Sequence, residues 1–192
     1  MLVGRTLIRN LSIILAVLIA VVGLTSAVAL VKPRSLAEQV SAGNALDKLK
    51  STVQQGGIVE FSAAEINSLV GLWVARTQKE NLDPTKINIQ LGENDLIVSS
   101  LILPKENVNL VFTAQGQLFI QEGDLVFLPK AFKLGNVLLP QSFVLNRLAN
   151  YSGLAVKSGK IIISKEYLPF SIEAIGINQG RMIIEFRGEQ VK

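Results

Sequence analysis

Two pairs of carboxylates, Glu93/Asp95 and Glu122/Asp124, are the places where acids stand within two residues of each other. Paired carboxylates do acid–base work when their surroundings drive their pKa values apart. Here each pair brackets a predicted hairpin turn, which points to solvated turn charges instead. Neither turn has acids at the alternate positions of a calcium loop. A serine nucleophile needs a base, and the chain contains no histidine, no cysteine and no G-x-S-x-G step. No glycine-rich phosphate cradle follows a strand and opens a helix. Asn150-Tyr151-Ser152 matches the glycosylation tripeptide but falls at a predicted helix end. The expectation is a protein with no catalytic residues, no metal ligands and no cofactor, and not an enzyme.

With reactive groups so few, the distribution of charge and apolarity carries the reading. The 192 residues hold 19 basic and 15 acidic side chains. Arg5, Arg9, Lys32 and Arg34 precede Ser35 without an acid, and from Ser35 onward there are fifteen of each sign. The basic excess therefore flanks one stretch, Leu11 to Val31, and no basic run or nucleic-acid signature follows it. No nucleic-acid partner is expected.

Leu11–Val31 carries no charge, and thirteen of its 21 residues are Leu, Ile or Val. As a helix it would extend about 31 Å, the thickness of a bilayer's hydrocarbon core. A retained anchor closed by Lys32 and Arg34 is the expected reading. A cleaved signal peptide with Ala27-Val28-Ala29 as its cleavage site is the alternative. The charge asymmetry favours the N-terminus inside and the larger domain outside the cytoplasm. The bilayer is thus the expected partner of residues 11–31, and the cell membrane the expected location, with a single pass. Absence of cysteine excludes disulfides and leaves the redox compartment open.

Pro33 ends the span, and Ser35 caps a helix with Leu36, Val40, Leu46, Leu49 and Val53 as its apolar stripe. Gly43-Asn44 weakens that helix, and Gln54 to Gly57 closes it. Ile58–Phe61 reads as a strand. Ser62-Ala63-Ala64-Glu65 is a capping box opening a second helix with Ile66, Leu69, Val70, Trp73 and Val74 on one face. From Lys86 the period changes to alternation, with strands over 87–91, 96–103, 108–120 and 125–134 and turns at 92–95, 104–107 and 121–124. Pro129 predicts an edge or bulge. Gly135-Asn136 leads through Pro140 to a helix with Phe143, Val144, Leu148 and Tyr151 inward. Three strands, 160–164, 170–177 and 181–187, close the chain. The expected fold class is α+β. An N-terminal transmembrane helix precedes an external domain with a long curved antiparallel meander sheet wrapped around two or three helices. The expected organisation is a cytoplasmic tip and anchor over 1–34, a stalk helix over 35–56 and a β-rich domain over 57–192.

Leu96–Leu103 and Leu125–Leu134 are apolar on both faces, although a sheet exposed on one side should alternate. One account is ordinary core covered by helices. The other is an elongated apolar groove for an acyl chain, with Leu110, Phe112, Leu118, Phe127, Phe132, Phe143 and Leu148 as walls.

Phe61-Ser62-Ala63-Ala64-Glu65-Ile66-Asn67-Ser68-Leu69, followed by Phe132-Lys133-Leu134-Gly135-Asn136-Val137-Leu138-Leu139-Pro140, resembles the YpmS-like family of Gram-positive bacteria. The resemblance covers residues 10 to 187. It implies a membrane-anchored protein with a β-rich external region, and it carries no catalytic residues to transfer. The expected function is a non-catalytic, membrane-anchored extracytoplasmic domain that binds a lipid or lipid-linked molecule in an apolar groove. The alternative is an anchored scaffold that binds another envelope protein.

Overall fold

The computed structural model describes residues 36–76, 87–102, 110–149, 155–168 and 170–188. The Leu11–Val31 span, the turn at 104–107 and the 150–152 tripeptide lie outside the described residues. Among the described residues no helix is long and apolar enough to cross a membrane.

Helix α1 (Leu36–Gln55) runs unbroken through Gly43-Asn44. Its Ala45, Leu46, Leu49 and Val53 are buried in the main core, so this helix packs against the domain. Gly56 ends it at φ +73°, the left-handed cap conformation that a glycine adopts without penalty. A Cβ there would lie 2.6 Å from the backbone nitrogen of Gly188, so the end of α1 and the chain after the last strand touch backbone to backbone.

Strand β1 (Gly57–Ser62) leads into α2 (Ala63–Arg76) through the expected capping box. The Ser62 N–H donates to Glu65 Oε2 at 2.7 Å, and the Glu65 N–H donates to Ser62 Oγ at 3.3 Å. Two N–H groups that a helix start leaves unpaired are thereby satisfied. Helix α2 then buries Ile66, Leu69 and Val70.

Two antiparallel sheets follow. The larger has the order β2 (Ile87–Leu91), β3 (Leu96–Ile102), β4 (Leu110–Gln121), β5 (Asp124–Leu134), β8 (Lys160–Ile163) and β7 (Ala155–Lys157), while β6 (Val137–Leu139) also pairs with β5. The three-stranded sheet has the order β1, β10 (Arg181–Phe186) and β9 (Ile172–Asn178). Helix α3 (Gln141–Leu148) and a 3₁₀ turn (Lys165–Tyr167) complete the described elements. The fold is therefore α+β with a large antiparallel sheet and three helices. The meander of consecutive strands runs from β2 to β6, and the closing β9–β10 hairpin leaves it to pair with the early strand β1. Three-residue strands β6 and β7 are too short to show a period of two, and so escape a reading by pattern.

The sheets meet at their turns. Gln179 N–H donates to Glu93 O at 3.0 Å and Gly180 N–H to Gly92 O at 3.1 Å, joining the β9–β10 turn to the β2–β3 turn. One core results. It takes Val59 and Phe61 from β1, Met182, Ile184 and Phe186 from β10, and the inner face of the large sheet.

A bulge in β5 sets the phase of that inner face. Gly116 pairs with Pro129 and Gln115 with Ala131, leaving Lys130 opposite no residue. Before it, Leu125, Phe127 and Pro129 face inward; after it, Phe132 and Leu134 do. One extra residue therefore moves the buried set from odd to even positions. The Phe127 ring lies against Gly116, where a Cβ would come within 2.7 Å of Phe127 Cζ and closer still to the Leu128 carbonyl oxygen. Gly116→Ala is expected to lower stability by about 1–3 kcal/mol through this overpacking, read as a shifted denaturant midpoint at constant slope. Adding Phe127→Leu to that variant should recover some of the loss.

Candidate functional site

The inner face of the large sheet is laid out in cross-strand rows. Ser100, Phe112 and Leu134 form one row, Val98, Ala114 and Phe132 the next, and Leu118, Phe127 and Ile161 a third. Phe112 and Phe132, diagonal neighbours, stack with ring centroids 6.1 Å apart. Of the expected wall residues, Phe112, Leu118, Phe127 and Phe132 share this face, and Leu148 comes to it from α3. All five are buried. Leu110 pairs with Ile102 at the start of β4, and its side chain lies outside the described residues. Among the described residues the core holds one buried polar side chain, Ser100.

Phe143 departs from the expectation of an inward position. It is 49 % exposed, and the buried stripe of α3 is Val144, Leu145 and Leu148. At 100° per residue these three positions span one side of a two-turn helix, and Phe143 falls off its edge. The Arg147 guanidinium stands 5.4 Å from the Phe143 ring centroid, one turn along the exposed side. Nearby in the chain, Val137 and Leu138 of β6 are each 65 % exposed. Three large apolar side chains thus stand out at the corner where β6 hands over to α3. Sequence pattern does not reveal this corner, because a three-residue strand has no inward face to recognise.

Between β8, which pairs with residues 125–127, and β6, which pairs with 132–134, the outer edge of β5 has no strand partner. Pro129 and Lys130 fall in this gap. The Gln141 side-chain amide, at the start of α3, donates to Pro129 O at 3.3 Å and Lys130 O at 2.8 Å. A side chain there takes the place of strand neighbours, so the gap's carbonyls are satisfied without closing the edge.

In each carboxylate pair one acid, Glu93 or Glu122, is exposed as expected, and the other, Asp95 or Asp124, is half-buried and makes a structural contact. Asp95 Oδ1 lies 2.6 Å from Lys130 Nζ, and Gln115 Nε2 donates to Asp95 Oδ2 at 3.2 Å. One carboxylate thereby pins the bulged residue from β3's side. Asp124 Oδ1 accepts from the Lys165 backbone N–H at 2.9 Å and holds the 3₁₀ turn. Among the described residues no cluster of His, Cys, Asp or Glu is placed to hold a metal ion.

Two further polar constructions fix the helices to the strands. Asn67 Nδ2 donates to Ile89 O at 2.7 Å while Ile89 N–H donates to Asn67 Oδ1 at 2.8 Å. The amide behaves as one more strand residue against the edge of β2. Lys48 of α1 donates to the Glu60 carbonyl, pairs with Glu65 at 3.5 Å, and stands 5.3 Å from the centroid of the Phe61 ring. Burial alone would raise the Glu65 carboxyl, but the Ser62 hydrogen bonds and the Lys48 charge outweigh it. The net result is below its ordinary 4.5.

A carboxylate with a depressed folded pKa adds stability above its unfolded pKa and loses it as pH falls through the folded value. Glu65→Gln should therefore cost about 1 kcal/mol near neutrality. The gap between the thermal midpoints of variant and parent should close as pH falls below the ordinary carboxylate range. Asn67→Asp removes the donor to Ile89 O and sets a carboxylate against that carbonyl, with an expected cost of about 1–3 kcal/mol. Amide exchange at Ile89 should accelerate in that variant.

The interior face is an apolar layer with sparse polar lining, and the exposed β6–α3 corner is a second apolar surface. The chain matches no family model, no curated protein and no solved structure.

Proposed function

We propose that this protein is a membrane-anchored, non-catalytic domain outside the cytoplasm that binds a lipid or lipid-linked molecule. Residues 11–31 form its single transmembrane helix, and the large sheet curves over the helices to make the apolar interior. The resemblance to the YpmS-like family supports the same location. The observation that carries the reading is the inner face of the large sheet. It is apolar from β2 to β8 and includes one buried hydroxyl, Ser100, among the described residues. Many aliphatic and aromatic walls with few polar groups suit an acyl chain. In the described conformation Phe112 and Phe132 are fully covered by the protein's own side chains. An acyl chain would therefore enter by displacing a covering element, and α3, eight residues long, is the smallest of the helices.

The second reading, an anchored scaffold for another envelope protein, is favoured by the exposed Val137, Leu138 and Phe143. Detergent extraction of the full chain from its membrane, followed by native mass spectrometry and lipid analysis, separates the two. A lipid bound at one per chain supports the interior reading. A chain that stays free of lipid at every detergent dilution overturns it. Ser100→Ala should leave the stability within about 1 kcal/mol of the parent, since its surroundings are apolar, while reducing the lipid retained.

A further inference from the structure

The near-neutral charge of the domain conceals a segregation. From Leu125 to Lys165 the chain has six cations and no acid, whereas the rest of the sequence from Ser35 holds nine cations and all fifteen acids. The fold packs β6 and α3 against β5, and α3 against β7, and these elements carry four of those cations, Lys130, Lys133, Arg147 and Lys157. Lys133 lies on the outer face of β5, directly opposite Leu138. Lys157 stands opposite Lys160 across the β7–β8 hairpin, and the Lys160 ammonium turns away, donating to Gln121 Oε1 at 3.0 Å and lying 5.6 Å from the Phe119 ring centroid. That hairpin pairs with residues 125–127, so its turn points toward the gap in β5 and the β6–α3 corner beyond it. Arg147 stands beside Phe143 on α3. Lys130 is neutralised by Asp95, but among the described residues Lys133, Arg147, Lys157 and Lys160 form no ion pair with an acid.

We infer that this corner is the surface through which the domain rests on an anionic phospholipid bilayer. Leu138 and Phe143 enter the headgroup region, and Lys133, Arg147 and Lys157 meet the phosphates. The inference rests on the membrane-anchored reading, since the apolar stretch ending at Val31 precedes the start of α1 by only four residues. Charge complementarity selects an anionic partner. The protruding apolar side chains select a bilayer over a soluble polyanion, because a hydrated polymer offers no apolar phase for them to enter. Lysine and arginine at such a boundary keep their charge in the headgroups while their stems cover apolar surface.

The absence of cysteine makes the test direct. The full chain carrying Leu138→Cys, labelled with an environment-sensitive dye, is reconstituted into phosphatidylcholine vesicles with and without phosphatidylglycerol. Leu138 is largely exposed, so the label does not enter the core. Ala174→Cys, on the exposed face of β9, is the control site. The expected result is a severalfold rise in dye emission at position 138 when phosphatidylglycerol is present. That signal should be quenched by nitroxide-bearing lipid and weakened by salt, with no change at position 174. Lys133→Glu and Lys157→Glu together should reduce the phosphatidylglycerol-dependent binding about fivefold per charge at an unchanged thermal midpoint. If the chain floats with the vesicles while position 138 reports water in both lipid mixtures, the docking surface is overturned and the anchor stands. If the chain does not float with vesicles at all, the anchor fails and the docking surface with it. If soluble polyphosphate alone produces the full dye response, the corner recognises a polyanion and the bilayer assignment is overturned.

Discussion

The β4–β5 ribbon is the constraint on which the other elements depend. Its strands are 12 and 11 residues long, and β3, β6 and β8 all pair with one of them. Side chains alternate across a strand, so a single register decides which of its apolar residues are buried. In β5 that register has to change midway, because Leu125 and Phe127 belong inside and so does Phe132. The bulge at Lys130 makes the change. Gly116 permits it by letting the Phe127 ring and the Leu128 carbonyl close over a position without a Cβ. Asp95 then holds the extra residue from outside through its ion pair with Lys130. Part of the apolar run in β5 is a single greasy face whose phase shifts by a residue, while Val126, between Phe119 and Ile162, is buried on the other face.

Polar groups secure what the ribbon organises. Asn67 extends the β2 edge by one hydrogen-bonded unit, which both orients α2 and covers some of an edge that would otherwise invite another chain. Lys48 links α1 to β1 and to the start of α2, so three elements from the first third of the domain share one cation. Gln141 supplies the β5 gap from the first residue of α3. Each of these is a long-range contact that satisfies a backbone group or a charge where the element order leaves one open.

The same arrangement separates the protein's surfaces. The interior is closed, apolar and nearly free of polar side chains, while the β6–α3 corner is apolar in the open, with Lys133 opposite Leu138 and Arg147 beside Phe143. An apolar corner exposed to water is costly unless it has a partner phase, and a cluster of like charges beside it opposes folding unless a counter-charge is near. A negatively charged bilayer would answer both. A domain tied to a membrane by its own N-terminus would meet such a surface at high local concentration.

Much of this protein is legible in its residues taken in order. The chain's lack of histidine and cysteine, the apolar 11–31 stretch, the capping box at Ser62–Glu65 and the alternation over 87–134 are all properties of composition or of neighbours a few residues apart. Folding in three dimensions settles that β1 pairs with the C-terminal hairpin, that α1 belongs to the core, and that β5 shifts phase at Lys130. Those choices depend on pairing across long stretches of chain, which no local period records. The wall residues divide on the same line. Phe112 and Leu118 follow from alternation, Phe127 and Phe132 share that face only through the bulge, and Phe143 lies outside because Val144, Leu145 and Leu148 take the buried side of a two-turn helix. Charge shows the difference most plainly: counting from Ser35 finds a neutral domain, but neutrality is a sum, and folding decides where on the surface its contributions are placed.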